Sequence, residues 1–539
     1  MRSTGATSSG CGRSWCSTSC RTSGSPTSGT SIARNSSSGC SRPGSHVRGT
    51  RRPLPARPIL APNRTFRGGS RRIMTSRITT TAATPTADLA RFIVEARVPV
   101  DVRGTTRRYL LDWLGSTVAG GELRPPTIIR EVINSLGGHP QATVLADGSR
   151  TSAPLAALAN AAASHVLEMD DLDRASISHP AAPVVAAALA VAERDGATGE
   201  ELLDAIAIGY EVMIRVGEAL GPSHYEHWHT TGTAGTFGAA AAAARIGRLD
   251  AQATLSALGS AGTMTAGLWE FLADGAMSKQ LHPGKAAHDG VLAALLAARG
   301  FTAASRILEG AKGLLAAMSD APDLDALTEG LSISMERWRI ENVSFKVHAS
   351  CRHTHPAVDA ALQLREQHEL HPAQIERVEV RVYSQALGLL DGMEPTTPYA
   401  AKFSLPFCVA SALRFGDLAP HRFSDQTIAD ADTLALTERV TFTTDPALDL
   451  LYPAAWPSIV SILLRTGERL EARIDHPAGD PESGITEADI AAKFRTLTDA
   501  ILGERSAALA HAVLEAEPTP SAAAIARLAT ATVPSNAPA

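Results

Sequence analysis

The chain has 539 residues, 44% of them hydrophobic and 19% charged, with a net charge of −5; this is apolar material for two packed cores and excludes a collagen-like, fibrous or wholly disordered protein. The charge is uneven: residues 1–73 hold 13 Arg and no Lys, Asp or Glu, leaving 37 basic against 55 acidic side chains in 74–539, so nucleic acid is not an expected partner of the body. Four of the six cysteines (Cys11, Cys16, Cys20, Cys40) fall in the first segment and only Cys351 and Cys408 remain, so the body has no disulfide framework and suits a reducing, cytoplasmic setting.

Residues 1–73 are Ser, Arg, Gly, Thr and Pro with few large aliphatics, too little apolar area to offset the entropy of ordering, and are expected to be disordered. An Arg- and Ser-rich, acid-poor start resembles a transit peptide, but its Gly and Pro leave no amphipathic period. Met74 opens an ordinary protein start, so an over-extended translation is the simplest account of what precedes it, and the Cys-x4-Cys-x3-Cys run is then chance. From 85 to 341 long Ala- and Leu-rich segments broken by Gly and Pro (Thr105 to Ala119, Pro154 to Leu167, Pro180 to Arg194, Gly199 to Leu220, His288 to Arg299) predict an all-helical domain. No stretch is apolar enough for a bilayer. Between 342 and 476 the period becomes that of strands: ERVEVRV at Glu376 to Val382, RVTFT at Arg439 to Thr443, and a hairpin from Ile459 to Ile474 about Thr466-Gly467-Glu468. The fold class is therefore mainly α, a large helical domain with a smaller α+β lid. Residues 477–505 are expected to return to the helical domain and 506–539 to form a tail.

Four polar patches interrupt the apolar sequence. Glu168, Asp170, Asp171 and Asp173 precede His179-Pro180, an arrangement that either tunes an imidazole for acid–base work or forms a solvated helix end. It has no EF-hand spacing. His224, His227 and His229 precede Thr230-Thr231-Gly232, whose glycines continue as G-x-x-G-x-x-G into AAAAAAR; this predicts a helix start suited to carboxylate or phosphate, not a nucleotide fingerprint, and the histidines lack the usual zinc spacing. Lys279 and His282 are three apart, one helical turn, and suit a carboxylate or a leaving group. Phe345-Lys346 through His353-Thr-His355 lies at the domain junction, where Arg352 offers a carboxylate clamp; Cys351 has no sign of an activated thiol. With two cysteines in 74–539, an iron–sulfur dehydratase is excluded.

At these patches the sequence resembles the MmgE/PrpD family, whose members include 2-methylcitrate dehydratase, cis-aconitate decarboxylase and an iminodisuccinate epimerase. The resemblance runs from about Asp88 to Leu497 through RRYLLDWLGSTVAGG, HVLEMDD with its following His-Pro, HWHTTGTAGTFGAAAAAARIGRLD, KQLHPGKAAHDG, FKVHASCRHTHPAVDA and AAKFSLP, in order. It implies a helical domain completed by the C-terminal segment, an α+β lid and a homodimer. It further implies a cofactor- and metal-free lyase on a small di- or tricarboxylate, first of all a 2-methylcitrate-like dehydratase, with decarboxylation or epimerisation at the same site as alternatives. From a different class, a helical protein that binds a carboxylate without turnover remains open. The catalytic set carried over is His179, His229, Lys279 and Glu168, with Asp171, His282, Arg352 and His355 binding substrate. Two positions depart from the pattern: Leu172-Asp173 replaces the usual hydroxyl or His after the Asp-Asp pair, and His348-Ala349 stands where Tyr-Pro is frequent.

Overall fold

A computed structural model describes residues 83–531; the disorder expected for 1–73 and the end of the expected tail lie outside them. The first domain is built around three helices, Ala181–Asp195, Gly199–Tyr225 and Thr230–Ile246, whose sequences are apolar or small on nearly every face. Helices hydrophobic all round belong in the interior, and here they are buried along almost their whole length. Small residues set how closely they approach. A Cβ on Gly238 would lie 2.6 Å from Met213 Cβ and 2.8 Å from the carbonyl of Gly209, and one on Gly235 would lie 2.8 Å from Pro183 Cγ. The G-x-x-G-x-x-G stripe is thus a helix-packing seam in place of the anion cradle its composition suggested. The helix Gly199–Tyr225 is longer than the Gly199 to Leu220 expected, with a break at Gly221, where φ is 67°. The helix expected from His288 begins at Leu281. No helix of the described residues is long and apolar enough to cross a membrane.

The lid carries a four-stranded sheet in the order Val440–Thr444, Ile375–Val382, Ser458–Leu464, Arg469–Ile474. The first pair is parallel and the others antiparallel. Val378, Val380 and Val382 point inward, as the alternation in ERVEVRV requires, and the helices His355–Gln367 and Leu405–Phe415 pack with this sheet.

The C-terminal helix Glu487–Leu502, capped by Thr486, lies on Val100–Gly120. Gly115 lets Phe494 approach, since a Cβ there would stand 3.1 Å from the ring. Lys493 reaches Asp112 at 2.5 Å and the carbonyl of Met169 at 2.6 Å. Where a tail was expected beyond 505, two more helices follow, Glu504–Leu514 and Ala522–Ala529. Arg107 fastens them by donating to the carbonyls of Val513 and Ala516 and to the Thr519 hydroxyl, at 3.0, 3.1 and 2.7 Å.

Candidate active site

The helix Ala153–His165 ends in a loop that is buried, apart from its tip at Arg174 and Ala175, until the next helix begins at Ala181. Glu168 sits on it with φ at 58°, a left-handed conformation unfavourable for a non-glycine residue and of the kind retained where side-chain placement matters. Leu172 exchanges backbone hydrogen bonds with Ser344, and Asp173 with Ser178, so the loop is pinned and then doubled back to present His179. The acidic patch is therefore no solvated helix end: Glu168, Asp170, Asp171 and Asp173 are all buried.

Buried charges need partners, and Glu168 has two lysines. Its Oε1 accepts from Lys279, on the short turn Met277–Gln280, and its Oε2 accepts from Lys346 at 3.0 Å. The Tyr399 hydroxyl adds a bond to Oε1 at 3.3 Å. Burial works against ionisation of Glu168, but Lys279 and Lys346 outweigh it and hold the carboxyl well below the usual range.

Four imidazoles stand beside this cluster. His179 donates from Nδ1 to the carbonyl of Asp171 at 2.6 Å, which places the proton on Nδ1 and leaves Nε2 with a free lone pair. Burial, reinforced by Lys346 and Lys279, keeps the ring neutral against the opposing charge of Asp170. His229 caps the helix Thr230–Ile246 and shares a proton between its Nδ1 and that of His282, 3.0 Å away; burial lowers both, His282 to about 4. His165 bonds to Asp170 at 2.6 Å. Burial opposes the charge on Asp170, yet His165 and His179 bring its carboxyl down to about 2. The His165 ring lies 4.9 Å from that of His179 and 5.6 Å from that of His229.

Glu168, His179, Lys279 and Lys346 line one cavity, closed on the other side by Leu172, Tyr225, Trp269 and Phe403 and by the lid residues His353 and Trp456. Its volume is about 20 Å³. That is room for a single water, so an acid of several carbons enters only if the lid moves.

Of the residues expected from sequence, Glu168, His179 and Lys279 meet at this cavity, with His229 and His282 packed behind. Lys279 and His282 do not share one helical face; the first turns to Glu168 and the second to His229. Asp171, expected to bind substrate, is not among the residues that line the cavity. Its carboxylate accepts from the Ala181 N–H at 3.0 Å and the Tyr210 hydroxyl at 2.8 Å, while burial, against the Tyr210 bond, pushes its carboxyl well up; its part is to hold His179. Arg352 edges the cavity, but its guanidinium is spent on Asp480 and on the carbonyls of Phe345 and Ala478. His355 is wholly buried, bonded to Arg352 and to the Ser350 carbonyl. These two are staples at the root of the lid in place of the expected clamp. Sequence reasoning missed Lys346, Tyr399, the His165–Asp170 pair and the lid aromatics; only Lys346, a lone cation inside Val-Ser-Phe-Lys-Val, carried a local signal.

His165, Asp170 and His179 bring one ligand atom each within 4.8 Å of one another. Three such donors are the minimum of a cation site, but the Nδ1 atoms on that side are already engaged, His165 with Asp170 and His179 with the Asp171 carbonyl. The set suits a hydrogen-bond relay better than a metal.

Comparison with known proteins places residues 87–327 on the model of the MmgE/PrpD N-terminal domain and 348–516 on that of the MmgE/PrpD C-terminal domain. A cis-aconitate decarboxylase-like protein oryM of Aspergillus oryzae is 24% identical over 82% of this chain and 97% of its own length. Cis-aconitate decarboxylase of Aspergillus terreus is 24% identical over 76% of this chain and 87% of its own. A 2-methylcitrate dehydratase of Salmonella typhimurium is 29% identical over 26% of this chain and 31% of its own.

Proposed function

The chain belongs to the MmgE/PrpD family, and from that premise we propose that it is a lyase that acts on a small di- or tricarboxylate through a carbanion next to a carboxylate, using no cofactor. The observation that carries the reading is the pairing of a neutral His179, its Nε2 lone pair free, with two buried lysines in one closed cavity. A substrate carboxylate takes the place of Glu168 on Lys279 and Lys346, and the lysines spread the negative charge that develops as the neighbouring C–H is broken. The proton passes to His179 Nε2. For a 2-methylcitrate-like hydroxy acid, the electron pair forms the C=C bond as the C–O bond breaks, and the hydroxyl leaves as water with a proton from Lys279. Closure of the lid excludes solvent from the intermediate.

Decarboxylation is the second reading, favoured by the full-length relatives, both named for that reaction. Here the carbanion arises by loss of carbon dioxide and is quenched by a proton from the Lys279 ammonium. Release of water or of carbon dioxide separates the two. His179→Gln and Lys279→Ala should each lower turnover at least about 100-fold, the usual scale for a positioned acid or base. Near-full activity in both would overturn the assignment.

A further inference from the structure

The cavity has two unlike walls. On one side, where the lid root meets the helical domain, stand its charges, and they nearly cancel: Lys279 and Lys346 share Glu168, and Arg352 is matched by Asp480. Lys279, Lys346 and Arg352 face Glu168, Asp480 and, beside His179, the ionised Asp170, so these groups leave no net positive charge for whatever binds until Glu168 gives up its place, and then one. A third carboxylate would then be buried without a partner, which is costly in a closed site.

On the lid side two neutral polar atoms are unused. His353 Nε2 and Trp456 Nε1 are buried with no hydrogen-bond partner, as is Trp269 Nε1 across the cavity. Buried polar groups are ordinarily paired, so three unpaired donors on residues that line one cavity are available to a ligand's acceptor atoms. His353 stacks on Trp456 at 4.3 Å between ring centres, and the Tyr383 hydroxyl bonds its Nδ1 at 2.6 Å; with that hydroxyl donating, Nε2 carries the proton. Burial holds this imidazole down to about 3, so it is a neutral donor. An indole N–H is a donor only. The walls between are Tyr225, Phe403, Leu172 and Leu389, and Leu172 occupies the place where a hydroxyl was expected.

We propose that His353 and Trp456, with Trp269 opposite, form a subsite for an uncharged arm of the substrate that carries an acceptor oxygen on a flat or apolar frame, so that the acid presents at most two carboxylates to the lysines. The proposal rests on the lyase reading of the same cavity and narrows its substrate from tricarboxylates to dicarboxylates with a neutral third arm.

The test holds the carbon skeleton fixed and changes only charge. The full chain is titrated calorimetrically with cis-aconitate, its three monomethyl esters and maleate, and each acid is followed for turnover by NMR. At least one monoester should bind about tenfold more tightly than the triacid. Trp456→Phe, which keeps an aromatic ring and removes the N–H, should weaken that ester about fivefold, the scale of one hydrogen bond, and leave maleate unchanged. A triacid that binds as tightly as every monoester, or a Trp456→Phe change that weakens maleate equally, overturns the subsite. If nothing is turned over, the lyase reading falls, while the order of affinities still decides the subsite.

Discussion

Replacing Glu168 by Gln keeps the side chain's shape and takes away the carboxylate that Lys279 and Lys346 share. Both lysines are buried, 2% and 0% exposed, so neither can recover its loss from water. Removing one partner of a buried pair costs about 3–5 kcal/mol, and the two ammonium groups then also repel each other. The pH dependence has a definite sign. Burial lowers Lys346 and Glu168 is the largest influence holding it up, so without Glu168 its folded-state pKa falls, the folded variant binds fewer protons than the unfolded chain, and its stability rises with pH. The deficit is therefore full near pH 6.5 and shrinks toward pH 10. Urea unfolding of wild type and Glu168→Gln at pH 6.5 and 9.5 reads both terms. A loss under about 1 kcal/mol, or an equal loss at both pH values, would refute the reasoning.

Two further outcomes follow from packing and burial. Gly238→Ala forces a methyl into Met213 and the Gly209 carbonyl and should cost about 1–3 kcal/mol, whereas Gly104→Ala, an exposed helical position with nothing within 4 Å of a new Cβ, should gain about 0.5–1 kcal/mol; thermal melts of the pair check the contrast. His224, bonded to the Met318 carbonyl and the Thr233 hydroxyl at 2.9 and 2.8 Å, is lowered by burial from 6.5 to about 4. Its contribution is complete above pH 6.5 and is lost as pH falls to 4, about 3 kcal/mol in all. His224→Gln should flatten the acid limb of a stability–pH curve by that share, and parallel curves would contradict it.

The helices were legible because their signal is local. Runs such as Pro180 to Arg194 carry enough Ala, Val and Leu to specify a buried helix whatever surrounds them, and ERVEVRV carries a strand in its alternation. The candidate site was legible where one residue type has few structural uses, as for a histidine beside Pro180. It was not legible where the partner is distant in sequence. Whether Asp171 or Glu168 lines the cavity depends on Tyr210 and Lys346, 39 and 178 residues away. Lys279 and His282 diverge because the chain makes a 3-10 turn before the helix at Leu281, which a three-residue spacing does not reveal. The glycine stripe from Gly232 to Gly238 reads equally as anion cradle or packing seam until the facing helix is known. His353 is one of several histidines in the junction patch and Trp456 lies in no motif, and only the folded lid sets them against the lysines.

The central claim is that this cavity makes a carbanion next to a carboxylate with His179 as the base. Its most direct test is proton NMR of the protein in deuterated water with citrate, 2-methylcitrate, cis-aconitate, iminodisuccinate and the cis-aconitate monoesters. The account predicts product, or deuterium at the carbon beside a carboxylate, for at least one acid, and loss of that signal in His179→Gln. A folded protein that binds an acid yet neither exchanges nor converts it, or a His179→Gln variant that does both as well as wild type, would contradict it.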